Sequence, residues 1–597
     1  MPFMNNESCG RPMINRTAAG AALLSGIVGM FAMAGPSSAT PPTPGVHIEW
    51  GVKISTRDGV ELAANVYHPA NASEKGAAIL TMTPYTADRY HKQAMFFARH
   101  GYTFVIADVR GRGNSGGEYW PYEKDGDDGH DVVEWMTRQS WSNGKVGMWG
   151  GSAAGYNQWA TLKEFPKGLV TIVPIASAYP GFDMPPAFKN IHSGWTLNWL
   201  SSVAGRTLNS GFEGDTDYWT RAFRSHYIAQ LPFNRLDEHV GMPSAAFDRW
   251  LSHPSVDEYW DKFVPDAAAY ARMDIPILTI TGHHDGVQRG ALQFHRLHMQ
   301  YGSDTGRAGH YVVIGPWNHS GTRKPVRKVG GVEFGEKSLV DIDQLHLDWY
   351  EWTLRGGPRP AFLKDQVNYY VEETDEWRAA ASFDAIRANR SRLFLAPAGA
   401  LQERKGRSTT SDYLYDPRDT RAGEAEPEYG PDYLLDTSPV TNLFGAGLVY
   451  ETAPFPADST IAGRPRAELW VEMDAPDTDI ELLLYQIRPD GVSIRLAQDN
   501  VRVRYRDSLR TPKPAPLNQV FRIVFPDFQF FARRIERGSK LRLVVHAPNS
   551  IYTQKNYNSG GDVGRESGAD ARPVKVILSQ GGRQASFIDL PIADSVR

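Results

Sequence analysis

The sequence predicts an α/β fold carrying a helical insertion, followed by an all-β domain. Three observations carry this reading. Over residues 47–178, short apolar strands at 77–82, 103–108, 145–149 and 169–175 alternate with helical stretches, as in a parallel sheet covered by helices. Residues 179–272 are aromatic and irregular, with Trp195, Trp199, Trp219, Trp250 and Trp260 and no run of strands. Beyond residue 356 the alternation gives way to β-type runs at 392–395, 467–473, 480–487 and 540–546, separated by Pro, Gly and Asp turns.

Taken in order, the chain divides into five parts. Residues 1–39 read as an export signal: Arg11 and Arg16 precede an apolar stretch at 17–34, followed by small residues that suit cleavage after Ala34 or Ala39. Residues 40–178 form the first part of the α/β core and 179–272 a helical lid over the sheet's C-terminal edge. Residues 273–356 resume the core, with strands at 275–281 and 311–314 and a helix at 345–355. Residues 357–597 form a β-sandwich, in which the polar stretch 402–432 reads as a long connection. No internal repeat is present.

Composition narrows the function. The chain has 597 residues, 41% hydrophobic and 22% charged, and a formal net charge of −4. This gives no electrostatic case for a nucleic-acid or anionic-membrane partner, both of which call for concentrated Lys and Arg. The only cysteine, Cys9, lies in the signal, so the mature, exported chain has neither a cysteine nucleophile nor a thiolate metal site. A periplasmic or secreted location is expected, with no membrane association after signal cleavage. Oligomeric state is not legible, and a homo-oligomer stays open.

The chemistry centres on Met148-Trp149-Gly150-Gly151-Ser152-Ala153-Ala154-Gly155. Small neighbours permit the sharp strand-to-helix turn that exposes a nucleophilic serine. The spacing departs from G-x-S-x-G, because Ala154 occupies the second glycine's position and Gly155 follows it. A serine nucleophile needs a base, and the base an orienting carboxylate. The strand at 275–281 leads into Gly282-His283-His284-Asp285-Gly286, and the next leads into Gly315-Pro316-Trp317-Asn318-His319. Ser152, Asp285 and His319 thus occur in the order Ser, Asp, His at three strand ends.

Two other clusters have duller readings. Neighbouring strand residues point to opposite faces, so His283 and His284 are not expected to share a metal ion. The acidic run 125–131 lacks the spacing of a calcium loop and is expected to cap a helix running through Val132, Val133, Trp135 and Met136. No metal or other cofactor is expected.

The sequence resembles the cocaine esterase, glutaryl acylase and X-Pro dipeptidyl-peptidase family of α/β-hydrolases. The resemblance rests on Met82-Thr83-Pro84-Tyr85, the glycine-rich segment from Asp108 to Gly117, Trp141-Ser142-Asn143-Gly144-Lys145-Val146-Gly147, the serine turn, the Asp285 and His319 loops, and Leu469-Trp470-Val471 with Asp474-Ala475-Pro476-Asp477-Thr478-Asp479. It covers nearly the whole mature chain. It implies an α/β-hydrolase domain, a C-terminal jelly-roll, and an oxyanion hole formed by the Tyr85 hydroxyl and the Ala153 N–H. Relatives commonly carry tyrosine after the nucleophile, where this chain has Ala153, so their substrate preferences transfer poorly.

The expected activity is hydrolysis of a small-molecule ester or amide through an acyl-enzyme. Trp195 and Trp199 are candidates for lining an apolar acyl pocket. Amino-acid-selective members of the family bind the substrate ammonium with extra carboxylates, and Gly286-Val287-Gln288 supply none, so esterase or acylase action ranks above X-Pro dipeptidyl-peptidase or α-amino-acid ester hydrolase action. The reading from another class is a catalytically inactive secreted protein that binds a carbohydrate or surface partner.

Overall fold

The computed structural model describes residues 45–70, 75–186, 188–386 and 389–595, so the expected signal at 1–39 lies outside the described residues. The first domain is built on a ten-stranded sheet: β1 (His47–Ser55), β2 (Glu61–His68), β3 (Gly76–Thr83), β4 (Thr103–Asp108), β5 (Ser142–Gly151), β6 (Leu169–Ile175), β7 (Ile277–His284), β8 (His310–Asn318), β9 (Val367–Val371) and β10 (Glu376–Ala380). Their spatial order is β1-β2-β4-β3-β5-β6-β7-β8-β9-β10. From β4 to β9 neighbouring strands are parallel, with antiparallel strands at each end.

The central strands read as continuous apolar runs because helices cover the sheet. One layer consists of α1 (His91–Arg99) and the helix Ile342–Arg355, whose Phe97 and Tyr350 rings meet at 5.6 Å. The other contains α2 (Asp125–Thr137), α3 (Ala153–Leu162) and the helix Gln288–Tyr301, where Trp159 stacks on Phe294 at 4.6 Å. Between β6 and β7 every regular element among the described residues is helical, led by α4 (Gly194–Ser202) and α5 (Thr216–Ile228).

The structure adds to three expectations. Past the expected boundary at 357, β9 and β10 still pair into the first sheet, as far as Ala380. Their parallel pairing with β8 was hidden because Val367–Val371 looks like any short β-type run. The acidic run at 125–131 lies at the start of its helix, with Asp125, Asp127 and Asp128 in the first turn of α2 near the positive end of its dipole, but the N-cap itself is Lys124 and no side chain caps it. Asp128 there receives Arg110 Nε at 2.7 Å and Asp131 receives Arg57 Nε at 2.9 Å. The stretch 402–432 includes a strand, Thr409–Tyr415, paired with Val574–Gln580; its period-2 signal rests on buried Tyr413 and Tyr415 alone.

The second domain is all-β. The strand Arg466–Met473 pairs antiparallel with Phe521–Phe525, Val574–Gln580 and Phe587–Ser595, and Asp479–Ile487 with Ser493–Arg502 and Lys540–His546. Alternate residues such as Leu469, Val471, Leu482, Leu484, Leu543 and Val545 fill its core. A buried ionic junction ties the domains together. Glu372, in the turn after β9, receives Arg533 Nη1 from the β-domain at 2.7 Å. It also takes His283 Nδ1 and His284 Nε2 on a single oxygen, each at 2.9 Å. The two imidazoles converge, contrary to the opposite-face expectation, because the β7–β8 register slips between Gly282 and His284.

Candidate active site

Ser152 links the end of β5 to the start of α3 with φ 62° and ψ −124°. This backbone is sparsely populated for a residue with a Cβ, and the surrounding structure must hold it there. Its N–H donates to Ile175 O of β6 at 2.9 Å, and the N–H groups of Gly155 and Tyr156 return to its carbonyl. Small residues are required on both sides. A Cβ at Gly150 would meet the Ala154 methyl at 2.7 Å, and one at Gly155 would meet the Ile175 carbonyl oxygen at 2.6 Å. The glycine belongs at 155 because that is where α3 crosses closest to β6, which explains the unusual spacing.

Asp285 follows β7 and His319 follows β8, strands paired so that His284 sits opposite Asn318. Both side chains are buried, and His319 Nδ1 lies 2.8 Å from Asp285 Oδ1. The Val287 N–H donates to that same oxygen at 3.2 Å, and Thr281 Oγ1 donates to Oδ2 at 2.8 Å. Asp285 is thereby held in place and sets the imidazole's orientation. Burial lowers the His319 pKa, against the raising pull of Asp285, so the ring is neutral near pH 7.

Tyr85 follows β3, and its hydroxyl donates to Ser152 Oγ at 3.2 Å. The Tyr85 hydroxyl oxygen accepts Trp199 Nε1–H from α4 at 3.1 Å, leaving the phenolic proton directed to the serine. Arg112, from the glycine-rich segment after β4, braces this loop: Nε donates to Pro84 O at 2.7 Å and Nη1 to Val203 O, just beyond α4, at 2.6 Å. Ala153 opens α3, where no preceding turn of helix supplies an acceptor for its N–H.

The two expected pocket tryptophans go to different places. Trp199 packs against Tyr122 and Trp250 at 6.2 and 6.3 Å, rings that also meet each other at 5.9 Å, and serves the Tyr85 hydroxyl. Trp195 stacks on Tyr552 of the β-domain at 5.3 Å and borders two adjoining cavities of about 440 and 130 Å³ at the junction of insertion, core and β-domain. The smaller cavity is also lined by Gly286 and Val287, next to Asp285, and by Asp183 and Glu481. Thr281, Arg112 and Arg323 were not singled out from sequence. Only Arg112 had a signal, its place in the glycine-rich turn.

Comparison with known proteins agrees with the two-domain fold. Residues 58–321 match the family model described as X-Pro dipeptidyl-peptidase (S15 family), and residues 362–589 match that of the X-Pro dipeptidyl-peptidase C-terminal non-catalytic domain. The chain belongs to the S15 family. Membership makes it a serine hydrolase with an α/β-hydrolase domain followed by the family's all-β C-terminal domain. Among S15-like relatives, the cocaine esterase of Rhodococcus sp. (strain MB1 Bresler) is 26% identical over 584 residues, covering 91% of this chain and 98% of that protein. An α-amino acid ester hydrolase structure aligns with TM-score 0.79 at 20% identity, covering 93% of this chain and 98% of that one. An aminopeptidase from a marine sediment Thaumarchaeota archaeon aligns with TM-score 0.76 at 20% identity, covering 94% and 98%. These two structures share the S15 chain's fold.

Proposed function

We propose that this S15 protein is an exported hydrolase of small-molecule esters or amides, acting through a Ser152–His319–Asp285 triad and an acyl-enzyme. The observation that carries the reading is the paired geometry at one sheet edge: Tyr85 Oη on Ser152 Oγ at 3.2 Å, and His319 Nδ1 on Asp285 at 2.8 Å. His319 takes the serine proton while Asp285 holds the ring, and Ser152 attacks the carbonyl. The Tyr85 hydroxyl and the Ala153 N–H then stabilise the oxyanion, and His319 returns the proton to the departing alcohol or amine. Water releases the acid by the same steps in reverse. No step calls for a cofactor. Export by the N-terminal segment to the periplasm or medium, and a jelly-roll arrangement of the β-domain, complete the proposal.

Ester or acylase action ranks above peptide or α-amino-ester hydrolysis. Asp183, near the Asp285 loop, is pushed well above the carboxylate range by burial and already accepts the N–H groups of Tyr179 and Gly290, making it a poor partner for a substrate ammonium. Glu481, on the same cavity, is the observation favouring the amino-group reading. Profiling the mature protein on acyl esters, β-lactam side-chain amides and Xaa-Pro anilides separates them: esters or amides should dominate, and dominant Xaa-Pro cleavage would reverse the ranking. In the same panel, Ser152→Ala should abolish turnover.

A further inference from the structure

The loop that delivers His319 also delivers a cation. Its turn is closed by Gly321 N on Asn318 Oδ1 at 2.9 Å, Thr322 Oγ1 on His319 O at 2.7 Å and Arg323 N on Ser320 O at 3.1 Å. The Arg323 side chain then runs back over Gly151, the residue before Ser152. A Cβ at 151 would lie 2.5 Å from Nη1, 2.9 Å from Cδ and 3.3 Å from Cζ, so the missing side chain is what admits the guanidinium.

Among the described residues this guanidinium has no counter-ion. Nη1 is buried and no described residue accepts a hydrogen bond from it or forms an ion pair with Arg323 within 4.0 Å. The groups acting on it electrostatically are Tyr90, Tyr85, Asp285 and a second cation, Arg89. Asp285 is committed to His319, Val287 and Thr281, and Arg89 lies over the Tyr85 ring at 5.8 Å. An arginine keeps its charge in any protein environment, so a buried, unanswered N–H group such as Nη1 is costly unless something else pairs with it. Other buried arginines have partners: Arg502 holds Asp479 through Nε and Nη2 at 2.9 and 3.0 Å, Arg533 holds Glu372, and Arg112 and Arg289 donate to backbone carbonyls. Arg504 Nη2 and Arg534 Nε are also unsatisfied, but those guanidinium groups pair with Asp477 and Asp458, whereas Arg323 has no carboxylate within 4.0 Å among the described residues.

We infer that Arg323 is a specificity residue that binds a carboxylate carried by the substrate, so that the preferred esters or amides are anionic. The guanidinium fork matches a carboxylate in two parallel hydrogen bonds, and its place against Gly151 puts that anion within a few bonds of the carbonyl attacked by Ser152. The inference rests on the proposed role of Ser152. It adds the charge of the substrate, on either its acyl or its leaving side.

The test compares matched esters: 4-nitrophenyl hexanoate with 4-nitrophenyl hemiadipate for the acyl side, and methyl 4-(hexanoyloxy)benzoate with 4-(hexanoyloxy)benzoate for the leaving side. The wild-type protein should show higher kcat/KM for the anionic member of one pair, and which pair identifies the side. Arg323→Met should lower that anionic-to-neutral ratio by about ten- to a hundredfold, with Arg323→Lys retaining part of it. Labelling of Ser152 by a fluorophosphonate verifies that each variant is folded. A wild-type preference for the neutral member in both pairs would overturn the inference without any variant. So would an equal loss on both members of a pair in Arg323→Met, which would assign Arg323 to the oxyanion instead. Hydrolysis of the neutral esters that persists in Ser152→Ala would instead refute the underlying triad.

Discussion

Trp199 Nε1 donates to the Tyr85 hydroxyl oxygen at 3.1 Å, and that hydroxyl in turn donates to Ser152 Oγ at 3.2 Å. The helical insertion therefore reaches the serine through a single phenol. A phenol that accepts one hydrogen bond has its own proton free for a substrate oxyanion, so α4 sets the direction of the donor.

Removing the donor itself should be severe. Tyr85→Phe is expected to lower kcat by about a hundred- to a thousandfold with little change in KM, the usual cost of an oxyanion donor. Trp199→Phe should cost about tenfold. Because Trp199 acts through Tyr85, the double variant should be no slower than Tyr85→Phe alone; steady-state kinetics of the cycle on one acyl ester checks this, and additive losses would give Trp199 an independent role.

The pH profile follows from His319. Burial lowers its pKa below the ordinary value of 6.5, so the neutral base persists to lower pH. The acid limb of kcat/KM should fall as pH drops, with its midpoint below 6.5. A midpoint above 6.5 would mean that Asp285 outweighs burial.

The serine turn makes a packing prediction. Gly155→Ala places a methyl 2.6 Å from the Ile175 carbonyl oxygen, a rigid backbone neighbour. It should destabilise the fold by about 1–3 kcal/mol and disturb Ser152, seen as a lower melting temperature and slower fluorophosphonate labelling.

The domain junction is a stability element. Glu372→Ala leaves Arg533 buried without its carboxylate and should cost about 3–5 kcal/mol by thermal or urea unfolding. The Glu372 pKa is held well below 4.5, despite burial, by His284, His283 and Arg533. Its contribution is therefore full above pH 4.5 and lost as pH falls below it, a loss the variant should not show.

Much of this was legible in the sequence, for physical reasons. The strands β3 to β8 are apolar runs buried on both sides, which periodicity exposes, and Ser152, Asp285 and His319 stand at ends of such strands. What stayed hidden depends on approach between segments distant in the chain. Gly155 reads as an offset glycine until Ile175 O is seen against it. Arg323 reads as one more basic residue until Gly151 is seen beneath it. Trp195 and Trp199, four residues apart on one helix, look equivalent in sequence, yet one meets Tyr552 and the other Tyr85.

The central claim is that Ser152 is the nucleophile. The most direct measurement is intact-mass and peptide analysis of the purified protein after reaction with a fluorophosphonate. One adduct on the Ser152 peptide is expected, with loss of esterase activity in proportion to labelling and neither effect in Ser152→Ala. Full activity after complete labelling of Ser152, or undiminished turnover by Ser152→Ala, would contradict it.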